Sequence, residues 1–296
     1  MSILQEGDFV GFAATSSGLE GRDPTPAINY FEKVLNLRVK LAPNLNKAYR
    51  YMAGTDEERA QALTRMYEDK EIKAIFTIRG AGGSFRMLSL LNYNIIKKNS
   101  KPLFGLSDVS SVQNAILSKT NNSCYTGFLP LYNINQGGIN EEMAEHLKKT
   151  LFSNTHYLQS GISVIEGEAE GKIIGGCLSS FLYLAGTKYL PDFKDKILLL
   201  EDKGEKTFNV DLKFSQIKQL KNFNKLKGII LGQFTNCPII DDFDGTIDDC
   251  IDDFVKELKI PVIKNFNYGH IQNSHIIPLG INAKMAATEK GCFLTW

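Results

Sequence analysis

Short apolar runs alternate with segments of helical periodicity through the first half of this chain, and that alternation narrows the folds open to it more than any other feature. Residues 8–14 (DFVGFAA) form an apolar run ending in Thr-Ser-Ser-Gly, a strand followed by a turn. Residues 26–34 have helical spacing, with Thr25 as N-cap and Pro26 at the first helical position. Thr55 and Glu58 spell a capping box, which predicts a helix running to about Tyr67. Residues 72–78 (IKAIFTI) are apolar and β-branched, as in a strand covered on both faces. A Gly-rich turn follows over 79–84, then a helical stretch over 85–91. Residues 102–106 read as another strand and 109–117 as another helix. Strands alternating with helices predict an α/β fold, with a parallel sheet covered by helices.

The character changes over 152–172, where small and polar residues dominate. A domain boundary is expected there: an N-terminal α/β domain over 1–155, a linker over 156–170 and a C-terminal domain over 171–296. The second half opens on Gly175-Gly176-Cys177 and a helical run over 178–184. Strands are expected at 197–200, within 226–234 and at 261–263, with helices over 211–220 and 246–258.

With 43% hydrophobic residues, 23% charged residues and a net charge of +1, the chain has ample material for a core. It has no global pull toward nucleic acid or an anionic membrane. Neither a basic signal-peptide start nor a membrane-length apolar stretch is found, so a cytoplasmic protein is expected. Five widely spaced cysteines without a CxxC argue against zinc ribbons and disulfide scaffolds. No HExxH or similar metal-ligand cluster occurs, and no metal or cofactor is expected.

The strongest local signal for chemistry is IFTIRGAGGSFRML, residues 75–88. A buried strand runs into a turn with three glycines and then into a helix opening at Ser84. Such a serine has three readings: a nucleophile exposed at the carboxyl end of a sheet, a helix N-cap, or part of an anion-cradling turn. A nucleophile needs a base, and the chain has four histidines. His146 lies on a charged helical stretch and reads as solvated; His156 lies in the polar segment before the boundary. His270 and His275 share a loop past the strand at 261–263, where α/β proteins place functional groups. Glu201 and Asp202 end the run ILLL; alternation along a strand lets only one of them face a site. In Gly105-Leu106-Ser107-Asp108, after another strand, Asp108 either caps the next helix or lines the same cleft.

Several of these segments resemble the LD-carboxypeptidase family, which includes the microcin-immunity-type peptidases. GDFVGFAATSS resembles its opening strand, and RGAGGSFRML its Arg-Gly-Gly-Tyr-Gly-Ser nucleophile turn, with Ser84 in the nucleophile's place. FGLSD is similar to a Gly-Tyr-Ser-Asp segment. GKIIGGCLSSFLYLAGTKYLPDFKDKILLLED is the longest similar stretch and puts Glu201 in the place of the catalytic glutamate. YGH followed by IIPLG resembles a Gly-His and Leu-Pro-Gly pattern, which selects His270 over His275. Ala81 and Gly82 depart from a Gly-Tyr pair, Cys177 from a common Asn, and residues 125–128 from a common His-Gly-Pro.

The resemblance implies two domains with the site at their interface and a Ser84–His270–Glu201 triad. Its oxyanion would be held by the backbone N–H groups of Phe85 and of the Gly82 region, with Ser107 and Asp108 beside the substrate. It further implies a small peptide substrate, a murein tetrapeptide, from which a terminal D-alanine is removed in cytoplasmic cell-wall recycling. Family members often form dimers, so a homodimer is compatible with it. The alternatives are a microcin-immunity-type peptidase cleaving an aminoacyl or peptidyl nucleotide, and a non-catalytic anion- or peptide-binding module in which Ser84 is only a cap.

Overall fold

The apolar runs of the first half become five parallel strands, β1 (Phe9–Ala13), β2 (Arg38–Leu41), β3 (Ile72–Thr77), β4 (Leu103–Gly105) and β5 (Cys124–Thr126), in a computed structural model that describes residues 2–241 and 243–296. They lie in the order β2-β1-β3-β4-β5. The inner strands are almost wholly buried, which is why they read as continuous apolar runs. Register pairs stack aromatics across this sheet. Phe76 opposes Phe104 with ring centroids 4.4 Å apart, and Phe104 opposes Tyr125 at 4.8 Å. Such pairs add roughly 0.5–1.5 kcal/mol each beyond their buried area.

The capping box forms as expected: Thr55 Oγ1 accepts from Glu58 N, and Glu58 Oε2 accepts from Thr55 N at 2.9 Å. It starts the helix Asp56–Glu68. Thr25 does not cap; it is the first residue of the helix Thr25–Asn29, which has no side-chain cap and runs on into a π-helical turn, Tyr30–Val34. The segment opening at Ser84 is a 3-10 helix, Ser84–Leu90.

After a small hairpin of β6 (Ile134–Asn135) and β7 (Gly138–Ile139), a second sheet begins with β8 (Tyr157–Gln159), β9 (Ile162–Ile165), β10 (Gly167–Cys177), β11 (Lys196–Lys203), β12 (Gly228–Thr235) and β13 (Val262–Lys264). The chain then returns to the first sheet as β14 (Ile277–Leu279), antiparallel to β5, before β15 (Asn282–Thr288) and β16 (Gly291–Thr295) complete the second sheet. The second sheet has the order β8-β16-β15-β10-β11-β12-β13-β9, parallel from β10 to β13 and antiparallel elsewhere.

Two features depart from the expected domain plan. The 156–170 stretch is not a linker: it carries β8, β9 and the start of β10. Its first half alternates partly covered and exposed residues, so Glu168 and Glu170 point to water while the backbone pairs with β15. Nor does everything after 171 belong to one domain, because β14 closes the edge of the N-terminal sheet.

Candidate active site

The carboxyl ends of β3, β4 and β11 and the loop after β13 converge on one region. Glu201, near the end of β11, is fully buried, and its Oε2 lies 2.8 Å from His270 Nδ1. Burial pushes the Glu201 carboxyl up from its ordinary range, and the imidazole opposite pulls it back. A carboxylate can only accept, so His270 carries its proton on Nδ1 and leaves Nε2 free as a base. Gly269 makes the approach possible. Its φ is +131°, and a Cβ there would lie 2.9 Å from Glu201 Oε2. Asp202, on the opposite face of the strand, accepts from Ser179 N and Oγ and takes no part in this pair.

Ser84 does not join them. It is fully buried; its Oγ lies 2.8 Å from Ser16 Oγ and donates to Thr15 Oγ1 at 3.2 Å. Its N–H donates to Asp108 Oδ2 at 2.8 Å, and Ser16 Oγ donates to the same oxygen at 2.6 Å. Among the described residues no hydrogen bond links Ser84 to His270. Asp108 occupies the N-cap position of the helix Val109–Thr120 without a side-chain cap bond, because its carboxylate is turned into this buried knot.

Ser107 is placed differently. It sits between β4 and the helix Val109–Thr120 with φ at +69°, a backbone conformation that costs a non-glycine residue about 1–3 kcal/mol. Such a strained strand-to-helix turn is the form of a nucleophile elbow. Its side chain opens on a cleft of about 420 Å³ lined by Arg22, Arg79, Ala81, Tyr132, Lys203 and His270, among others. Gly80 backs it so closely that a Cβ there would lie 2.9 Å from Ser107 Cβ. Gly82 and Phe85, the expected oxyanion donors, are not part of the cleft wall; the Phe85 ring packs on Tyr183 at 5.9 Å.

The other histidines serve elsewhere. His146 is not solvated: its Nε2 accepts from Ile276 N at 2.6 Å, and burial pulls it down to about 3. His275 lies tilted beside it, 5.2 Å between centroids, and His156 stacks on Trp296. Thr126, a departure from the family pattern, bonds Tyr268 OH at 2.8 Å and so ties β5 to the His270 loop. Cys177, another, donates its N–H to Ser110 Oγ. Lys203 and Tyr132 were not legible as site residues. The available signal was Lys203's spacing of two from Glu201, which puts both on one face of β11.

A buried carboxylate orienting a histidine toward a serine-lined cleft between two sheets marks a hydrolase-type α/β protein. The chain belongs to the LD-carboxypeptidase family: residues 10–127 match its N-terminal domain and residues 170–285 its C-terminal domain. A probable murein peptide carboxypeptidase of Bacillus subtilis is 28% identical over 97% of this chain and 91% of its own length. A murein tetrapeptide carboxypeptidase of Pseudomonas aeruginosa is 26% identical, covering 82% of each. The crystal structure of an MccF-like protein from Bacillus anthracis superposes with a TM-score of 0.88 at 26% identity, over 99% of this chain and 97% of that one.

Proposed function

We propose that this chain is a serine LD-carboxypeptidase that hydrolyses an L,D-peptide bond and releases the terminal D-alanine of a murein tetrapeptide, with Ser107 rather than Ser84 as its nucleophile. The observation that carries this reading is that Ser107, at a strained turn, and His270, already held by Glu201, open on the same cleft. His270 Nε2 takes the Ser107 hydroxyl proton as Oγ attacks the scissile carbonyl, and Glu201 stabilises the imidazolium that forms. The N–H of Asp108, at the start of a helix, and the backbone of the Gly80–Ala81 turn pressed against Ser107 are the oxyanion donors. His270 returns the proton to the leaving amine, and water then releases the acyl group. Cytoplasmic recycling of murein peptides is the proposed setting; among the described residues no helix is long and apolar enough to cross a membrane.

Murein tetrapeptide incubated with the purified chain should yield tripeptide and free D-alanine. Ser107→Ala should lower kcat by roughly 10⁴–10⁶. A wild type as inactive as that variant would end the assignment. The likeness to the MccF-like structure favours a second reading, cleavage of an aminoacyl or peptidyl nucleotide. Assaying such a conjugate beside the tetrapeptide separates the two by their kcat/KM.

A further inference from the structure

Three cations, Arg22, Arg79 and Lys203, line the cleft, and no carboxylate does. Two of them are already engaged. Arg79 pairs with Glu20 at 2.5 Å, and Arg22 reaches the same carboxylate at 3.3 Å. Lys203 differs: among the described residues its ammonium meets no carboxylate and lies over the Tyr132 ring, 5.7 Å from the centroid.

The position of Lys203 follows from β11. Side chains alternate along a strand, so Glu201 and Lys203 share the face that looks into the cleft while Asp202 looks away. Two residues advance the strand by roughly 7 Å. Tyr132 spans that interval, since the ring beneath Lys203 also meets His270 in a T-shaped contact 6.3 Å between centroids. Lys203 and His270 therefore meet the same ring, and the ammonium has an aromatic seat that limits where its flexible stem can go.

An exopeptidase that removes one C-terminal residue must hold a free carboxylate one residue beyond the bond it cuts. We propose that Lys203, seated on Tyr132, is the subsite for the free carboxylate of the residue that is released. This rests on the peptidase reading above and adds to it the group that makes the enzyme select chain ends. Arg79 and Arg22 share Glu20, whereas Lys203 is the lining cation that meets no carboxylate among the described residues.

The test compares two substrates, a murein tetrapeptide with its terminal carboxylate free and the same peptide as its C-terminal carboxamide, on wild type, Lys203→Met and Lys203→Arg. Wild type should prefer the free acid in kcat/KM by about tenfold to a hundredfold, the range for one charge-assisted hydrogen bond. Lys203→Met should raise KM for the acid with kcat little changed, leave the amide alone and so erase the preference. Lys203→Arg should restore most of it. A Lys203→Met enzyme that keeps the full preference, or loses both substrates equally, overturns the subsite while leaving the peptidase intact. A wild type that cleaves neither peptide overturns the peptidase reading itself.

Discussion

Ser84 and Ser107 each follow a parallel strand and open a helix, yet their surroundings give them different work. Ser84 is locked between Thr15, Ser16 and, through its N–H, Asp108, so it braces the residue next to Ser107 from behind. Removing its hydroxyl leaves Ser16 still bonded to Asp108. Ser84→Ala should therefore cost about 1–2 kcal/mol of stability, as for a lost buried hydroxyl bond, and no more than about tenfold in kcat. Urea denaturation and D-alanine release measure the two effects. If Ser84→Ala abolished turnover while Ser107→Ala kept it, the nucleophile would have to be reassigned. The Gly-rich turn leaves Ser84 open among three roles, and the resemblance to the family's nucleophile turn puts it in the nucleophile's place; the φ of Ser107 and the direction its side chain takes are invisible to such a reading.

At the scale of elements, the loop between β13 and β14 decides where His270 stands, and it is tied down along its length. His275 N donates to Asn267 O at 2.6 Å, Gly269 N to Ser274 Oγ at 3.0 Å, and Ile276 N to His146 Nε2 at 2.6 Å. The last tie requires neutral His146. Burial is the first cause of its depressed pKa, about 3, with the neighbouring His275 adding to it; burial also lowers His275 to about 4. Glu142 acts on His275 in the opposite sense, and Lys149 acts on His146 in the same sense as burial. Both folded values lie below the unfolded value near 6.5, so the unfolded chain binds more protons between those limits. Stability is then complete above about pH 6.5 and falls as pH drops toward 3, by at most ~1.4 kcal/mol per pH unit for each histidine. His146→Gln, whose amide oxygen can accept from Ile276, should flatten part of this slope and leave the contribution of His275. Urea midpoints at pH 7.5 and pH 5 for both proteins would show it, and an unchanged slope would refute it.

On the scale of the whole molecule, neither sheet is complete without distant chain. β14 pairs with β5 across some 150 residues of sequence, through Ile277 opposite Thr126 and Leu279 opposite Cys124. The Thr126–Tyr268 bond crosses the same junction. A fragment of residues 1–155 would present β5 as an uncovered apolar edge, which invites pairing between chains. It should aggregate or unfold without cooperativity, whereas the full chain should melt as a unit. Light scattering and a thermal melt of the two would decide; a soluble, cooperatively folding fragment would contradict this account.

The sequence by itself determined the parallel sheet of the first half and the capping box at Thr55, while the partnership of Glu201 with His270 was implied by the family resemblance. The first two depend on local pattern, apolar runs and cap spacing; strand-end position alone left Asp202 and His275 as rivals to Glu201 and His270. Tertiary structure alone decided the role of 156–170, the return of β14, the burial of His146 and the exchange of Ser84 for Ser107 in the proposed mechanism. Those outcomes turn on which backbone a strand pairs with and on which side of a turn a hydroxyl emerges. Contacts between residues far apart in the chain set both, and no short window of sequence contains them.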